Sequence, residues 1–120
     1  DYVEVTEMHQ EKKVDAPSGT AVATAHELVA ARGRPFEHNV PDSLTLPGSR
    51  GADYQGVAIH SVRLPGLVAH QELIFGGEGQ TLTVRHDSSD RGSFMPGVVL
   101  ACRRVGSLPE PLTVGLEALL

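Results

Sequence analysis

The sequence has a single cysteine, Cys102, among its 120 residues. One thiol cannot form a disulfide within the chain, so a small secreted fold held by disulfides is excluded. A lone cysteine is typical of a reducing compartment, and we expect a cytoplasmic protein. Since Cys102 falls on the apolar stripe of a predicted helix, we expect its thiol to be buried and inert.

An excess of basic residues is missing as well. Ten lysines and arginines stand against 15 aspartates and glutamates, for a formal net charge of −5. A general nucleic-acid surface needs a basic excess, so this class of partner is not expected. We also expect no membrane association and no secretion, because the chain has neither a membrane-spanning apolar run nor a signal peptide. It begins without Met in a predicted strand, and we expect a piece of a longer protein.

The dinucleotide fingerprint Gly-x-Gly-x-x-Gly does not follow any predicted strand. The glycine cluster at residues 76–79 joins one predicted strand to the next and lacks both the spacing and the following helix. Compact metal-ligand pairs such as His-x-His or Cys-x-x-Cys are absent too, and we expect no metal site. His60, His70 and His86 lie on three predicted strands, where a converging metal site is the alternative to ordinary sheet histidines.

The apolar periodicity predicts an α+β fold. Residues 2–8 alternate as a half-buried strand does, and residues 19–32 carry an apolar stripe at helical spacing that Gly33 ends. Further strands are predicted over residues 56–64, 68–75 and 80–87, and a second helix has its apolar stripe over residues 94–105. We expect one domain over residues 1–120, with a four-stranded, mixed or mostly antiparallel sheet covered by two main helices.

Residues 34–56 show no clean period and contain several prolines and glycines. They predict a long connection, with a short strand near residues 44–46. Loops of this length in a compact domain are often functional or mobile. Arg50 lies within it and is expected to be a solvated side chain.

The segment between the first strand and the first helix carries the chemistry. A loop of small residues, 17–20, opens the helix, whose first N–H groups are unpaired and lie at the positive end of its dipole. Such a turn lets an anion approach closely. Lys12 and Lys13 add positive charge beside it, and His9 can exchange a proton near neutral pH. The combination predicts an acid/base site that holds a small anionic molecule.

Simpler interpretations of the same residues stay open. Ser18 or Thr20 can cap the helix without binding a ligand, His9 can be a surface residue, and the lysines can be a solvated face. A hydrolase that uses Ser18, His9 and Asp15 is a further alternative, although the Gly-x-Ser-x-Gly elbow is missing. Asp15 is instead expected to brace the loop by accepting hydrogen bonds from the backbone or from a lysine.

The pattern His-x-x-x-Lys-Val-Asp-Ala-Pro-Ser-Gly-Thr-Ala at residues 9–21 resembles the signature of the dihydrodipicolinate reductases. Other runs are similar to bacterial members of that family: residues 64–66, 69–72, 74–76, 79–83, 85–88, 93–97 and 112–116. The resemblance covers the whole chain and points to the family's C-terminal domain, which binds substrate and builds a homotetramer. It implies that the N-terminal dinucleotide-binding domain lies outside this chain.

The resemblance also implies roles for individual residues. His9 matches the family's catalytic acid/base residue and Lys13 its proton donor. Ser18, Gly19 and Thr20 match the loop that holds a substrate carboxylate. The implied reaction is the reduction of a cyclic dicarboxylate imine in lysine and diaminopimelate biosynthesis, with NADH or NADPH as the cofactor. The residues that select between the two cofactors are expected outside this chain.

Three further positions complete the transfer from the family. Gln10 stands where the family usually has a second histidine that contacts the substrate, and glutamine cannot carry its positive charge. Arg91 and Phe94 match positions near the cofactor side of the cleft. A non-catalytic binding or assembly module, which kept this fold without a cofactor domain, is the alternative to the enzyme.

Overall fold

Strand β1, Tyr2–His9, lies at the centre of a five-stranded sheet. Its alternation buries Val3, Val5 and Glu7, which are at most 2% exposed, while the side chains between them remain more exposed. The computed structural model describes residues 2–37, 41 and 43–120. These form two units, the first ending at Ser88, and each is described by itself.

Helix α1, Gly19–Arg32, has the ends that the sequence predicts. The Ser18 hydroxyl oxygen accepts a hydrogen bond of 3.2 Å from the Ala21 N–H, which satisfies one of the unpaired donors of the first turn. Gly33 ends the helix with φ +73°, a left-handed conformation that glycine adopts without steric cost. Its N–H donates to the carbonyls of Val29 and Ala30.

The remaining strands of the sheet are β2 (Ala52–Tyr54), β3 (Val57–Arg63), β4 (Ala69–Gly77) and β5 (Gln80–Ser88). Their order across the sheet is β2-β3-β1-β4-β5. Strand β1 runs parallel to β3, because α1 and the long connection carry the chain back across the sheet, and every other pairing is antiparallel. The predicted mixed sheet is therefore confirmed.

The core of the first unit lies between α1 and one face of the sheet. Fully buried residues from the helix and from two strands form it: Val3, Val5, Ala21, Ala25, Val57 and Ile59. The two fully buried residues of α1 are alanines, so the helix backbone can approach the strands closely there, and Leu28 and Val29 pack against the same core. This close approach brings the start of α1 next to the end of β1.

The prediction of four strands is wrong, because a fifth strand, β2, pairs with β3. The predicted strand near residues 44–46 does not form. Strand β2 has only three residues, too few to show alternation, and the turn at Gln55 and Gly56 creates it. Both turn residues have positive φ, which matches the strand twist of a tight hairpin. A side chain at Gly56 would also collide with the Phe36 carbonyl.

The second unit, Ser89–Leu120, contains a short helical turn, Arg91–Phe94, and helix α2, Met95–Arg104. The expected burial of Cys102 is wrong, because its side chain is exposed. Much of the predicted apolar stripe of α2 is also exposed, as Val98 and Val105 show. The prediction that helices cover the sheet is confirmed for α1 and stays a prediction for α2.

Within the described ranges, every helix is too short or too polar to cross a membrane.

Candidate active site

A fully buried carboxylate, that of Glu7, lies at the end of β1 and is held by groups from three elements. Arg63 of β3 donates two parallel hydrogen bonds to it, from Nη2 to Oε1 at 2.7 Å and from Nη1 to Oε2 at 2.8 Å. The Ser18 N–H, at the start of α1, donates to Oε1 at 3.1 Å. His9 Nδ1 lies 2.6 Å from Oε2. The carboxylate thus connects the end of β1 to the start of α1.

The charge on Glu7 is stabilised despite its burial. Burial alone would raise the pKa of the Glu7 carboxyl, but hydrogen bonds from Arg63, Ser61, His9 and the Ser18 amide lower it to about 2. The same hydrogen bonds to Glu7 raise the pKa of Arg63. Both groups therefore remain charged throughout the physiological pH range.

His9 is mostly buried, with a side-chain exposure of 17%. Its Nδ1 faces a carboxylate that is ionised and can only accept hydrogen bonds, so Nδ1 carries the proton. In the neutral imidazole the other nitrogen, Nε2, is then the acceptor and can take up a proton. The geometry gives His9 the orientation that a general acid/base requires.

Arg63 also holds the loop between β1 and α1. Its Nη2 donates to the Asp15 carbonyl at 2.8 Å, and its Nη1 donates to the Val62 carbonyl at 2.7 Å. One guanidinium therefore fixes both the Glu7 carboxylate and the backbone of the loop. The loop that carries Lys13 and Asp15 is therefore attached to β3 through Arg63.

Lys13 lies on this loop and contacts the carboxylate of Asp15. Its Nζ donates to Oδ1 at 2.7 Å, and the two side chains are 25% and 52% exposed. The Lys13 hydrogen bond, assisted by the Gly19 amide, lowers the pKa of Asp15. The predicted bracing role of Asp15 is thus confirmed. Asp15 also demonstrates how an anion can sit between the Lys13 ammonium and the N-terminus of α1.

The three residues predicted to hold a substrate carboxylate begin α1, but their groups differ in availability. Both the N–H and the acceptor oxygen of Ser18 are engaged inside the protein, with Glu7 and Ala21. Gly19 and Thr20 are exposed at the first helical positions. The helix N-terminus therefore presents its donors to solvent chiefly through Gly19 and Thr20.

Gln10 takes part in a tight local turn. Its Oε1 accepts from the Lys12 N–H at 2.8 Å, and its carbonyl accepts from the Lys13 N–H at 3.2 Å. The Gln10 side chain also carries an NH₂ group, which can donate hydrogen bonds. Arg91 and Phe94 both lie in the second unit, in the helical turn that Asp90 caps through the Gly92 N–H.

The histidines proposed for a metal site do not converge. His86 is in register with Gln71, whose side chain bonds Thr24 of α1, so both lie on the helix side of the sheet. His60 and His70 alternate to the other side. Across residues 2–37, 41 and 43–120, no group of three or more His, Cys, Asp or Glu side chains is arranged to hold a metal ion.

The hydrolase alternative does not fit the contacts either. The carboxylate that bonds His9 is Glu7, whereas Asp15 pairs with Lys13. The Ser18 hydroxyl caps α1 instead of bonding the imidazole. These residues therefore do not form a Ser-His-Asp arrangement.

Sequence reasoning missed Glu7 and Arg63, the two residues that hold the others in place. The signal for Glu7 was present, since it continues the buried alternation of Val3 and Val5. A carboxylate at such a position requires a cationic or hydrogen-bonding partner. The partner could not be identified from the sequence, because parallel pairing brings Arg63 beside His9 from a distant part of the chain.

The whole chain, residues 1–120, matches the family model described as "Dihydrodipicolinate reductase, C-terminus". The 4-hydroxy-tetrahydrodipicolinate reductase of Thermobifida fusca is 54% identical over 119 residues, covering 98% of this chain and 48% of that protein. The enzyme of the same name from Nocardia farcinica is 57% identical over 120 residues, with 98% and 48% covered. The chain thus spans about half the length of these relatives.

A solved structure shows the same fold. It is described as dipicolinate-bound dihydrodipicolinate reductase from Paenisporosarcina sp. TG-14 and superposes with a TM-score of 0.84. The two sequences are 50% identical, and the match covers 99% of this chain and 44% of that one. Together, the signature around His9 and Lys13, the fold and these matches lead to one conclusion: the chain belongs to the dihydrodipicolinate reductase family and corresponds to its C-terminal domain.

Proposed function

We propose that this chain is the substrate-binding, catalytic and oligomerisation domain of an NAD(P)H-dependent 4-hydroxy-tetrahydrodipicolinate reductase. The observation that carries the proposal is the meeting of three groups around one loop: His9, Lys13 and the exposed start of α1 at Gly19. Arg63 fixes that loop, so these groups hold a defined arrangement before a ligand arrives. A helix N-terminus and an ammonium suit a carboxylate, and the imidazole suits proton exchange.

The substrate we propose is a small cyclic dicarboxylate imine. The similar protein from Paenisporosarcina sp. TG-14 is described as bound to dipicolinate, which is itself a cyclic dicarboxylate. In this chain the Asp15 carboxylate already lies against Lys13 and the Gly19 amide. We expect one substrate carboxylate to take the place of Asp15 there, with the exposed donors of Gly19 and Thr20 around it.

In the reaction, Lys13 supplies the proton and His9 holds the acid/base position. When bound, a nicotinamide cofactor would supply a hydride to the reduced carbon, and an adjacent position must receive a proton. Lys13 Nζ can deliver that proton once it leaves Asp15, since both side chains are partly exposed and can rearrange. Gln10 can donate a neutral hydrogen bond to the substrate in place of the family's second histidine.

For the cofactor, the chain offers only part of a site. The sequence contains no Gly-x-Gly-x-x-Gly run, the pattern with which a turn binds a dinucleotide pyrophosphate. Arg91 offers a charge for a phosphate and Phe94 an exposed ring, and both lie on one short turn. We therefore propose that NADH or NADPH is held mainly by residues outside this chain, and that the chain alone is inactive.

We also propose that the protein is a cytoplasmic homotetramer assembled through the sheet. The strand β5 is exposed along nearly its whole length, with Leu82 62% and Val84 52% exposed. Apolar side chains on an exposed edge strand favour association. An exposed free thiol at Cys102 fits a reducing compartment. Sedimentation at micromolar concentration should give four chains; a monomer alone contradicts the assembly.

The test of the catalytic proposal compares Lys13→Ala with Lys12→Ala in the intact protein. Loss of a general acid typically costs about 100- to 10,000-fold, so Lys13→Ala should lower the turnover number by at least the smaller factor. Lys12→Ala removes the same charge one residue away and should change turnover by only a few-fold. Cofactor absorbance with the cyclic imine as substrate measures both variants.

Normal turnover in Lys13→Ala removes its catalytic role. If the intact wild-type protein binds dipicolinate but shows no turnover with either nicotinamide, the chain belongs instead to a binding module of the same fold.

A further inference from the structure

Glu7 connects two parts of the site that are separate in the sequence. Its Oε2 accepts from His9, and its Oε1 accepts from the Ser18 amide at the start of α1. Arg63 spans both oxygens. Each oxygen thus receives one hydrogen bond from Arg63 and one from a part of the site, and Ser61 adds a further hydrogen bond to the carboxylate.

The arrangement is more specific than an ion pair needs. A structural pair between Glu7 and Arg63 would be complete with the two guanidinium contacts alone. The additional short contact of 2.6 Å goes to a histidine that reaches the surface, and a further hydrogen bond comes from Ser18, at the start of the helix that presents the anion donors. Glu7 itself is fully buried and cannot touch a substrate.

We propose that Glu7, clamped by Arg63, is a positioning residue of the reductase site. It holds the proton of His9 on Nδ1, so that Nε2 exchanges protons at the substrate, and it fixes the start of α1 relative to that imidazole. This inference rests on the proposed function for the role of His9 in turnover. Its structural half, the tautomer imposed by Glu7, stands on the contacts alone.

Several charged groups surround His9, and a variant that tests Glu7 must leave the others in place. Glu7 approaches it from its own strand and Arg63 from β3, while Lys13 and Asp15 lie on the adjoining loop. On β4 the residue paired with His9 is Ala69, which is uncharged. A change at Glu7 therefore alters the one direct acceptor of His9 and leaves the Lys13–Asp15 pair intact.

The first measurement is the nitrogen NMR spectrum of His9 in the intact protein, assigned through His9→Gln. We expect the neutral imidazole of the wild type to be almost entirely in the Nδ1–H form. In Glu7→Gln the amide can offer either its oxygen or its NH₂ group, so we expect a mixture of both tautomers. A wild-type His9 in the Nε2–H form overturns the proposal, whether or not the variant folds.

The second measurement separates positioning from simple support of the fold. Glu7→Gln should lower the turnover number about 10- to 100-fold, the usual range for a lost orienting contact, with KM within about threefold. In a His9→Gln background the same change should cost no more than about twofold, because the group through which it acts is gone. Losses that multiply in the double variant overturn the positioning role.

Glu72→Gln is the matched control, because Glu72 also pairs with an arginine in the sheet, Arg85, but lies away from His9. It should leave turnover and the His9 spectrum unchanged. The two measurements also fail independently. If the intact protein shows no reductase turnover yet Glu7→Gln still mixes the tautomers, the proposed function is wrong and the imposed tautomer stands. If turnover depends on His9 but the tautomer is unaffected by Glu7, the proposed function stands and the imposed tautomer is wrong.

Discussion

Two clusters in the first unit contain the same chemical groups in different surroundings. The buried cluster consists of Glu7, His9 and Arg63. The surface cluster, on β4 and β5, consists of His70, Glu72, Arg85 and Asp87. In each, an arginine holds a carboxylate, and a histidine Nδ1 lies 2.6 Å from a carboxylate oxygen.

The two clusters lower the pKa of a carboxyl in different surroundings. The pKa of the Glu7 carboxyl and that of the Asp87 carboxyl are each lowered to about 2. For Glu7 this happens against burial, with a side chain that is 0% exposed. For Asp87 it results from Arg85 and then His70, with a side chain that is 45% exposed. Water and salt can replace the partners of Asp87 but not those of Glu7.

The largest expected difference between the clusters is catalytic. His9→Ala in the intact protein should lower the turnover number about 100-fold or more, as loss of an acid/base group does. His70→Ala removes the same contact to a carboxylate and should leave turnover within about twofold. Steady-state kinetics with the cyclic imine measures both. Equal losses would mean that the imidazole–carboxylate contact matters for the fold and not for the chemistry.

A difference in folding stability should follow. Glu7→Ala leaves the Arg63 guanidinium largely buried without its counter-charge, which should lower the free energy of unfolding by about 3 kcal/mol. Asp87→Ala should cost much less, because Arg85 keeps Glu72 and solvent. Urea unfolding of the two variants, at fixed protein concentration, gives the comparison. Similar midpoint shifts would show that burial does not separate the clusters.

The pH dependence of stability should also distinguish them. The folded pKa of Glu7, about 2, lies below its ordinary value of 4.5, so ionised Glu7 stabilises the folded state above pH 4.5. This stabilisation, about 3 kcal/mol, is lost as the pH falls from 4.5 towards 2. Glu7→Gln should flatten that part of the curve, whereas Asp87→Asn should have a smaller effect that shrinks further at high salt, because the Asp87 side chain is exposed and its charge is screened. A wild-type stability that is constant between pH 4.5 and 2 contradicts the assignment.

The smallest effect concerns an exposed pair beside the buried cluster. Asp15→Asn removes the anion that holds Lys13, so a dicarboxylate such as dipicolinate should bind a few-fold more tightly at low salt. The gain should disappear at high salt, because exposed charges are screened. Calorimetric titration at two salt concentrations measures this. Weaker binding would mean that Asp15 orders the loop for the ligand and does not compete with it.

How far the sequence predicts this molecule depends on the distance between interacting residues. The limits of α1 depend on residues close in sequence: Gly33 was predicted to end the helix, and of the two predicted caps, Ser18 and Thr20, it is Ser18 that caps it. The short β2 could not be predicted, because it exists only through its pairing with β3.

The same rule applies to the site. His9 ends β1 and Lys13 lies on the loop that follows, and their grouping was visible from spacing alone. Arg63 joins them only through the parallel pairing of β1 with β3. The exposure of Cys102 was mispredicted because an apolar stripe identifies the face of α2 that favours packing. It does not show whether this chain provides a surface for that face to pack against.

The central place of β1 has a consequence for how the chain acquires its structure. Among these five strands β1 comes first in the sequence and pairs on both sides with strands that come much later, whereas β4 and β5 are joined by a tight turn and can pair at once. Local contacts form faster than distant ones, so we expect the β4–β5 hairpin to form early and β1 to dock late. Until then Glu7 is an ordinary glutamate in water. In the folded chain Arg63 lies on β3, next to β1, so docking of β1 against β3 brings the Glu7 carboxylate together with its counter-charge.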